Sequence, residues 1–160
     1  MTIGDNLLER VLYPEFSGRG LLRDLDPHHL CKLAGLALEA RFDPGHVIFH
    51  QGDLTGFFYL IVSGFVELES VDNAGRKHVQ TLGPGDAFGW SSVLDGERKH
   101  SLARAASNVI ALAFDGHELR LACDQDPEFG YAFMKRLLSI VASRLETVQP
   151  QAWAAVGSPA

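Results

Sequence analysis

Basic residues are scarce in this sequence: 14 Lys and Arg stand against 20 Asp and Glu, for a formal net charge of -6. Nucleic acids and anionic membranes reward clustered cations, so this balance gives no reason to expect either partner. A small anionic ligand stays open, because it needs only one local pocket of cations or N–H groups. Cysteine is scarcer still. Cys31 and Cys123 have no C-x-x-C spacing, which excludes the usual zinc and iron–sulfur motifs and leaves two ordinary buried thiols as the expectation. No apolar run approaches the ~20 residues that span a bilayer. The start, MTIGDNLLERVL, lacks the basic residues and apolar run of a secretory signal, so a cytoplasmic location is expected. Neither G-x-S-x-G nor a phosphate loop occurs; Gly83-Pro84-Gly85-Asp86 lacks the lysine and hydroxyl residue of the latter and reads as a turn. No cysteine has an identifiable base nearby, and no enzyme is expected.

What is present is one domain's worth of core: 160 residues, 46% of them hydrophobic. Asp5 to Leu12 reads as a short helix, within an N-terminal helical segment over residues 1–20. Asp26-Pro27 then opens a second helix, the acid as N-cap and the proline where its absent N–H costs nothing. Leu30, Leu33, Ala34, Ala37 and Leu38 give it one apolar face. From Phe42 the pattern turns to short β-type runs broken by glycine: Val47 to His50, Phe57 to Val62, Phe65 to Val71, Lys77 to Leu82 and Leu102 to Phe114. Turns at this frequency predict a mainly β fold with flanking α, an antiparallel β-roll or jelly roll with N-terminal helices and a long C-terminal helix. The last third is helical from about Asp115 to Gln149, restarted at Asp126-Pro127 and closed by Pro150. The main domain then covers residues 21–149, and the Ala/Gly/Pro/Ser-rich residues 150–160 read as a disordered tail.

Three stretches, GHVIFHQGD (45–53), FYLIVSGFV (58–66) and LGPGDAFG (82–89), carry a resemblance to the cyclic-nucleotide-binding domain family. It extends from about Leu21 to Leu145 and is close to bacterial regulators of the catabolite-activator type, where such a domain precedes a helix-turn-helix. Only eleven residues follow Gln149, too few for that module, so no direct nucleic-acid binding by this chain is expected.

The resemblance implies a ligand site at Phe88, Gly89, Trp90, Ser91, Ser92, Lys99, His100 and Ser101. The family seats the nucleotide's phosphate just after the Phe-Gly pair and follows that glycine with a glutamate that accepts from the ribose hydroxyl. Here Trp90 takes that place, and an indole N–H only donates. Counting from Phe88 puts His100 where the family has a phosphate-binding arginine and Ser101 at its small neighbour; a slightly different loop length brings in Lys99 or Arg98 instead. Each lost charged hydrogen bond costs on the order of 1.5–3 kcal/mol, together roughly a hundredfold or more in affinity. The pocket therefore takes a weak or atypical cyclic nucleotide, another small anion, or nothing, and Trp90 itself fills or lids it or serves as a core anchor. Any base is expected near Val148 and Gln149.

Two apolar stripes run along the last helix. Phe129, Phe133, Leu137 and Ile140 suit the roll, and Tyr131, Met134, Leu138, Val141, Leu145 and Val148 follow the 3-4-3-4-3 spacing of a coiled-coil seam. A homodimer through the second stripe is expected; burial of both in one core is the alternative. The whole reads as a regulatory sensor that signals, or regulates transcription, through its dimer. Its rivals are a ligand-free protein-interaction domain on the same fold and a cupin-like metal enzyme, the latter prompted by His46 and His50 four apart on one strand and by Glu67 and Glu69 sharing a face. No His-x-His pair with a following glutamate supports the enzyme.

Overall fold

The computed structural model describes residues 20–156 except Thr55 and residues 95–97, with side chains to Leu145. The helix expected over Asp5 to Leu12 lies outside the described residues. After a 3-10 turn at Gly20–Leu22, helix α1 spans Pro27–Leu36, and the Asp26 carboxylate accepts from the His28 N–H at 2.8 Å. The helix stops short of the expected Ala37 and Leu38. Ala37 turns to ψ 142° and starts strand β1, Ala37–Phe42, whose partner β8 supplies backbone bonds that override the helix-forming Ala, Leu and Glu of this segment. Cys31 is exposed on the outward side of α1 rather than buried, because Leu30 and Leu33 are the residues that turn inward. Cys123 is half-buried, which pushes its thiol pKa up.

The β segments follow as β2 Val47–Phe49, β3 Phe57–Ser63, β4 Val66–Val71, β5 Lys77–Leu82, β6 Ala87–Phe88, β7 Leu102–Ala105 and β8 Val109–Asp115. They form two antiparallel four-stranded sheets in the orders β1-β8-β3-β6 and β2-β7-β4-β5. The single run expected over Leu102 to Phe114 is thus two strands in different sheets. The chain changes sheet beside Gly64, whose φ of +89° and 2.1 Å approach of the Asn108 carbonyl oxygen to any added Cβ leave room only for glycine.

Between the sheets lie Phe49, Ile61, Val66, Phe88 and Val109. A second core joins the β3/β8 face to the helices through Phe58, Leu112, Phe114, Leu119, Phe129 and Phe133. Helix α2 is Gly116–Gln125, capped by Asp115, which accepts from the His117 and Glu118 N–H groups. Helix α3 is Pro127–Val156. Asp126 caps its first turn and holds Lys32 of α1 at 3.0 Å, and that bond keeps its carboxyl below the usual range.

The α3 helix does not end at Pro150, so residues 151–156 are helical rather than tail; residues 157–160 lie outside the described residues. A proline removes one helical bond but need not end a helix whose following Gln151, Ala152, Ala154 and Ala155 favour it. The stripes on α3 separate. Phe129 and Phe133 are fully buried on the roll, while Tyr131 is 72% exposed, Leu138 69% and Leu145 53%, with Met134 and Val141 partly exposed. A single core burying both stripes is therefore not what the chain forms; Val148 lies beyond the described side chains. Among the described residues no helix is long and apolar enough to cross a membrane.

Candidate ligand pocket

Strand β6 delivers Phe88 into the inter-sheet core, where its ring stacks on Tyr59 at 5.0 Å. Gly89 follows with φ 80°, ψ 24°, and a 3-10 helix covers Trp90–Val93. A Cβ at Gly89 would come within 3.0 Å of the Phe57 carbonyl oxygen and 3.2 Å of Lys99 Nζ, so this corner requires glycine twice over. Helix α2 pins the segment from outside: Arg120 Nη1 donates to the Ser92 carbonyl at 2.7 Å.

The Gly89 carbonyl is the most heavily used acceptor of the site. Lys99 Nζ donates to it at 2.8 Å, Ser92 Oγ at 2.8 Å and the Ser92 N–H at 3.2 Å. Lys99 is only 3% exposed, with Nζ 3.4 Å from the Phe57 carbonyl oxygen and 4.9 Å from the centre of the Phe49 ring. Burial pulls its pKa down to about 8, so the side chain is still mostly cationic at neutral pH. Its backbone is fixed on both sides, the Lys99 N–H donating to Asp53 O at 2.9 Å and the Gly52 N–H to Lys99 O at 2.7 Å.

Of the three adjacent basic residues, Lys99 and His100 both line the cavity, Lys99 buried and His100 exposed, while Arg98 turns away to the Gly52 carbonyl at 2.9 Å.

A cavity of about 60 Å³ lies here, lined by Phe49, Leu68, Gly89, Trp90, Ser91 and Lys99, and completed by His100, Ser101 and Arg144. Six of the eight residues expected from the sequence come together at it. Phe88 and Ser92 do not: Phe88 is spent on the core, and the Ser92 hydroxyl is spent on the Gly89 carbonyl. Val148 and Gln149 lie outside the described side chains; among the described residues of α3, Arg144, one turn earlier, reaches the pocket. The signal for it was available, since Arg144 continues the roll-facing series Phe129, Phe133, Leu137, Ile140 at helical spacing. Leu68 was equally visible as an inward position of alternating β4.

Arg144 closes the cavity. Its guanidinium carbon sits 4.5 Å from the Trp90 ring centre, and Nη2 donates to the Ala87 carbonyl. Burial lowers its pKa to about 10, partly offset by Asp86, which leaves it charged at neutral pH. Pockets for small ligands are typically about 300–1,000 Å³. A space of about 60 Å³ holds water and little else, so a nucleotide enters only if Trp90 and Arg144 move apart.

The histidines that prompted a metal reading have other neighbours: His46 stacks on Phe42 at 5.6 Å, and His50 Nδ1 is 3.7 Å from Asp53. Among the described residues no three His, Cys, Asp or Glu side chains converge as metal ligands.

A family model described as the cyclic nucleotide-binding domain matches residues 39–126. The CRP-like cAMP-activated global transcriptional regulator of Mycobacterium tuberculosis is 29% identical over 127 residues, 79% of this chain and 55% of that protein. The cyclic AMP receptor protein of Thermus thermophilus is 32% identical over 130 residues, 80% of this chain and 54% of that one. The chain thus spans about half the length of these curated relatives. The crystal structure of Thermus thermophilus catabolite activator protein superposes with a TM-score of 0.72 at 26% identity, over 85% of this chain and 62% of that one. The first of these relatives is named a transcriptional regulator and the second a cyclic AMP receptor.

Proposed function

This chain belongs to the cyclic nucleotide-binding domain family, and on that premise we propose that it is a regulatory sensor module whose atypical pocket takes a cyclic nucleotide between Gly89–Ser91 and Lys99–Ser101. Lys99 carries the reading. It is a buried cation held 2.8 Å from the Gly89 carbonyl, at the corner where the family resemblance seats the phosphate. An incoming phosphate exchanges a carbonyl acceptor for a charged one, and charge-assisted hydrogen bonds are the stronger kind. Trp90 supplies no ribose acceptor, which lowers affinity by roughly ten- to a hundredfold relative to a carboxylate at that place.

Signal transfer runs through Arg144. A ligand that fits must displace Trp90, and Trp90 is in contact with a guanidinium rooted in α3. The ligand therefore favours the state in which α3 has shifted, which is the differential affinity that a population shift requires. The outward stripe of Tyr131, Met134, Leu138, Val141 and Leu145 suits a second copy of α3, so the module works as a homodimer in the cytoplasm and regulates signalling or transcription through that dimer.

A second reading, a ligand-free interaction domain on the same scaffold, is favoured by the cavity of about 60 Å³. Calorimetric titration at low salt with cyclic AMP, cyclic GMP and linear AMP separates the two. Saturable heat with a cyclic nucleotide and none with linear AMP is the expected result. No heat with any of the three, from a protein that elutes as a dimer, supports the ligand-free domain and overturns the sensor.

A further inference from the structure

We propose that a second cavity, between α3 and the β5–β6 corner, is a separate binding site for a small polyanion, a phosphorylated or polycarboxylate metabolite. Its volume is about 490 Å³, within the range of small-molecule pockets and far larger than the space beside Lys99. The chain carries a formal charge of -6. Against that background the cavity wall gathers Arg23, Arg136 and Arg144 and one carboxylate, Asp86, a local excess of two positive charges (three arginines less one aspartate). The Asp86 carboxylate also accepts from the Gly83 N–H at 2.9 Å.

The guanidiniums are held in place yet incompletely bonded. Arg136 Nη2 donates to the Gly20 carbonyl at 2.7 Å, and Arg144 Nη2 to the Ala87 carbonyl. Among the described residues Arg136 Nε and Arg144 Nη1 are buried without any acceptor, a condition shared there only by Arg104 Nε, on β7 and outside this cavity. Buried N–H groups of this kind are rare because leaving them unpaired is costly. An oxyanion in the cavity that draws the two guanidiniums round toward it supplies acceptors that the described residues lack, and the planar arginine fork suits phosphate and carboxylate oxygens. Ser139 and Thr81 add hydroxyls to the wall. Arg23 stands at the exposed end, 3.6 Å from Asp24 in a solvent-screened pair, and is free to turn toward a more highly charged partner.

The inference does not depend on cyclic nucleotide binding, since the two cavities share only Arg144. Titrating the full chain with pyrophosphate and with citrate, by calorimetry and by the Nε–Hε resonances of ¹⁵N-labelled arginine, tests it. Saturable binding of at least one anion with a dissociation constant under about 1 mM, with Arg136 among the shifted resonances, is expected. The tighter of the two identifies the source as phosphoryl or carboxylate. Arg136→Gln and the exposed Arg23→Gln should each weaken it by about tenfold, with far-UV circular dichroism confirming that both variants fold. Heat that merely tracks ionic strength, or binding undiminished in both variants, overturns the proposal.

Discussion

The Arg144 guanidinium stacks 4.5 Å from the centre of the Trp90 indole, joining the long terminal helix to the segment that follows the Phe-Gly pair. A contact of this kind stabilises the closed pocket by about 0.5–2 kcal/mol. Trp90→Ala removes the lid. It should cost about 1–3 kcal/mol of stability, since the indole is half-buried against the core, yet tighten cyclic AMP binding by several-fold as measured by calorimetry. Weaker binding would make Trp90 a ligand contact instead.

Lys99 sets the pH behaviour. Burial lowers its pKa from 10.5 to about 8. Between those values the unfolded chain holds more protons than the folded one, so this group makes stability rise with pH across the window; below about pH 8 its penalty is fully present. The stability of the wild type minus that of Lys99→Met should therefore increase by on the order of 3 kcal/mol from about pH 7.5 to about pH 10.5 in urea unfolding. A difference that stays flat would contradict the burial. Cyclic nucleotide affinity should fall over the same rise in pH, as the ammonium loses its charge.

Gly89 allows no side chain. With φ at +80° and the Phe57 carbonyl oxygen 3.0 Å from a Cβ, Gly89→Ala is expected to destabilise by about 1–3 kcal/mol and to displace Lys99. Chemical denaturation gives the first effect, and loss of the pH-dependent term described for Lys99 gives the second.

The exposed stripe on α3 is expected to pair with its twin. The wild-type chain should run at twice 17.5 kDa in light scattering, and Leu138→Glu with Leu145→Glu should return it to the monomer mass while the fold is kept, since both side chains are more than half exposed. A wild-type monomer would remove the dimer from the account.

Much of this architecture is legible in the residues, and the exceptions have physical causes. Glycine-punctuated runs and the alternation of Val66 and Leu68 with Glu67 and Glu69 mark β4 because turns and pleats impose those patterns directly. Strand β1 is hidden, because Ala37-Leu38-Glu39-Ala40 are helix formers that become strand only by pairing with β8. For the pocket, Gly89, Trp90 and Ser91 sit next to a recognisable motif. Choosing among Arg98, Lys99 and His100 depends on loop closure to Gly52 and Asp53, a contact between distant segments. Arg144 lies one turn before Val148 and Gln149, and helical spacing alone does not show that its guanidinium turns onto Trp90, a contact between segments far apart in the chain.

A cyclic nucleotide that lifts the Trp90 lid changes the surroundings of the indole, and the indole N–H resonance of Trp90 observes this directly. In a ¹⁵N-labelled chain carrying Trp153→Phe, so that Trp90 is the one remaining tryptophan, cyclic AMP should shift that resonance saturably while linear AMP leaves it in place. A Trp90 resonance that stays fixed through the full cyclic AMP and cyclic GMP titrations would contradict the lid and the sensor together.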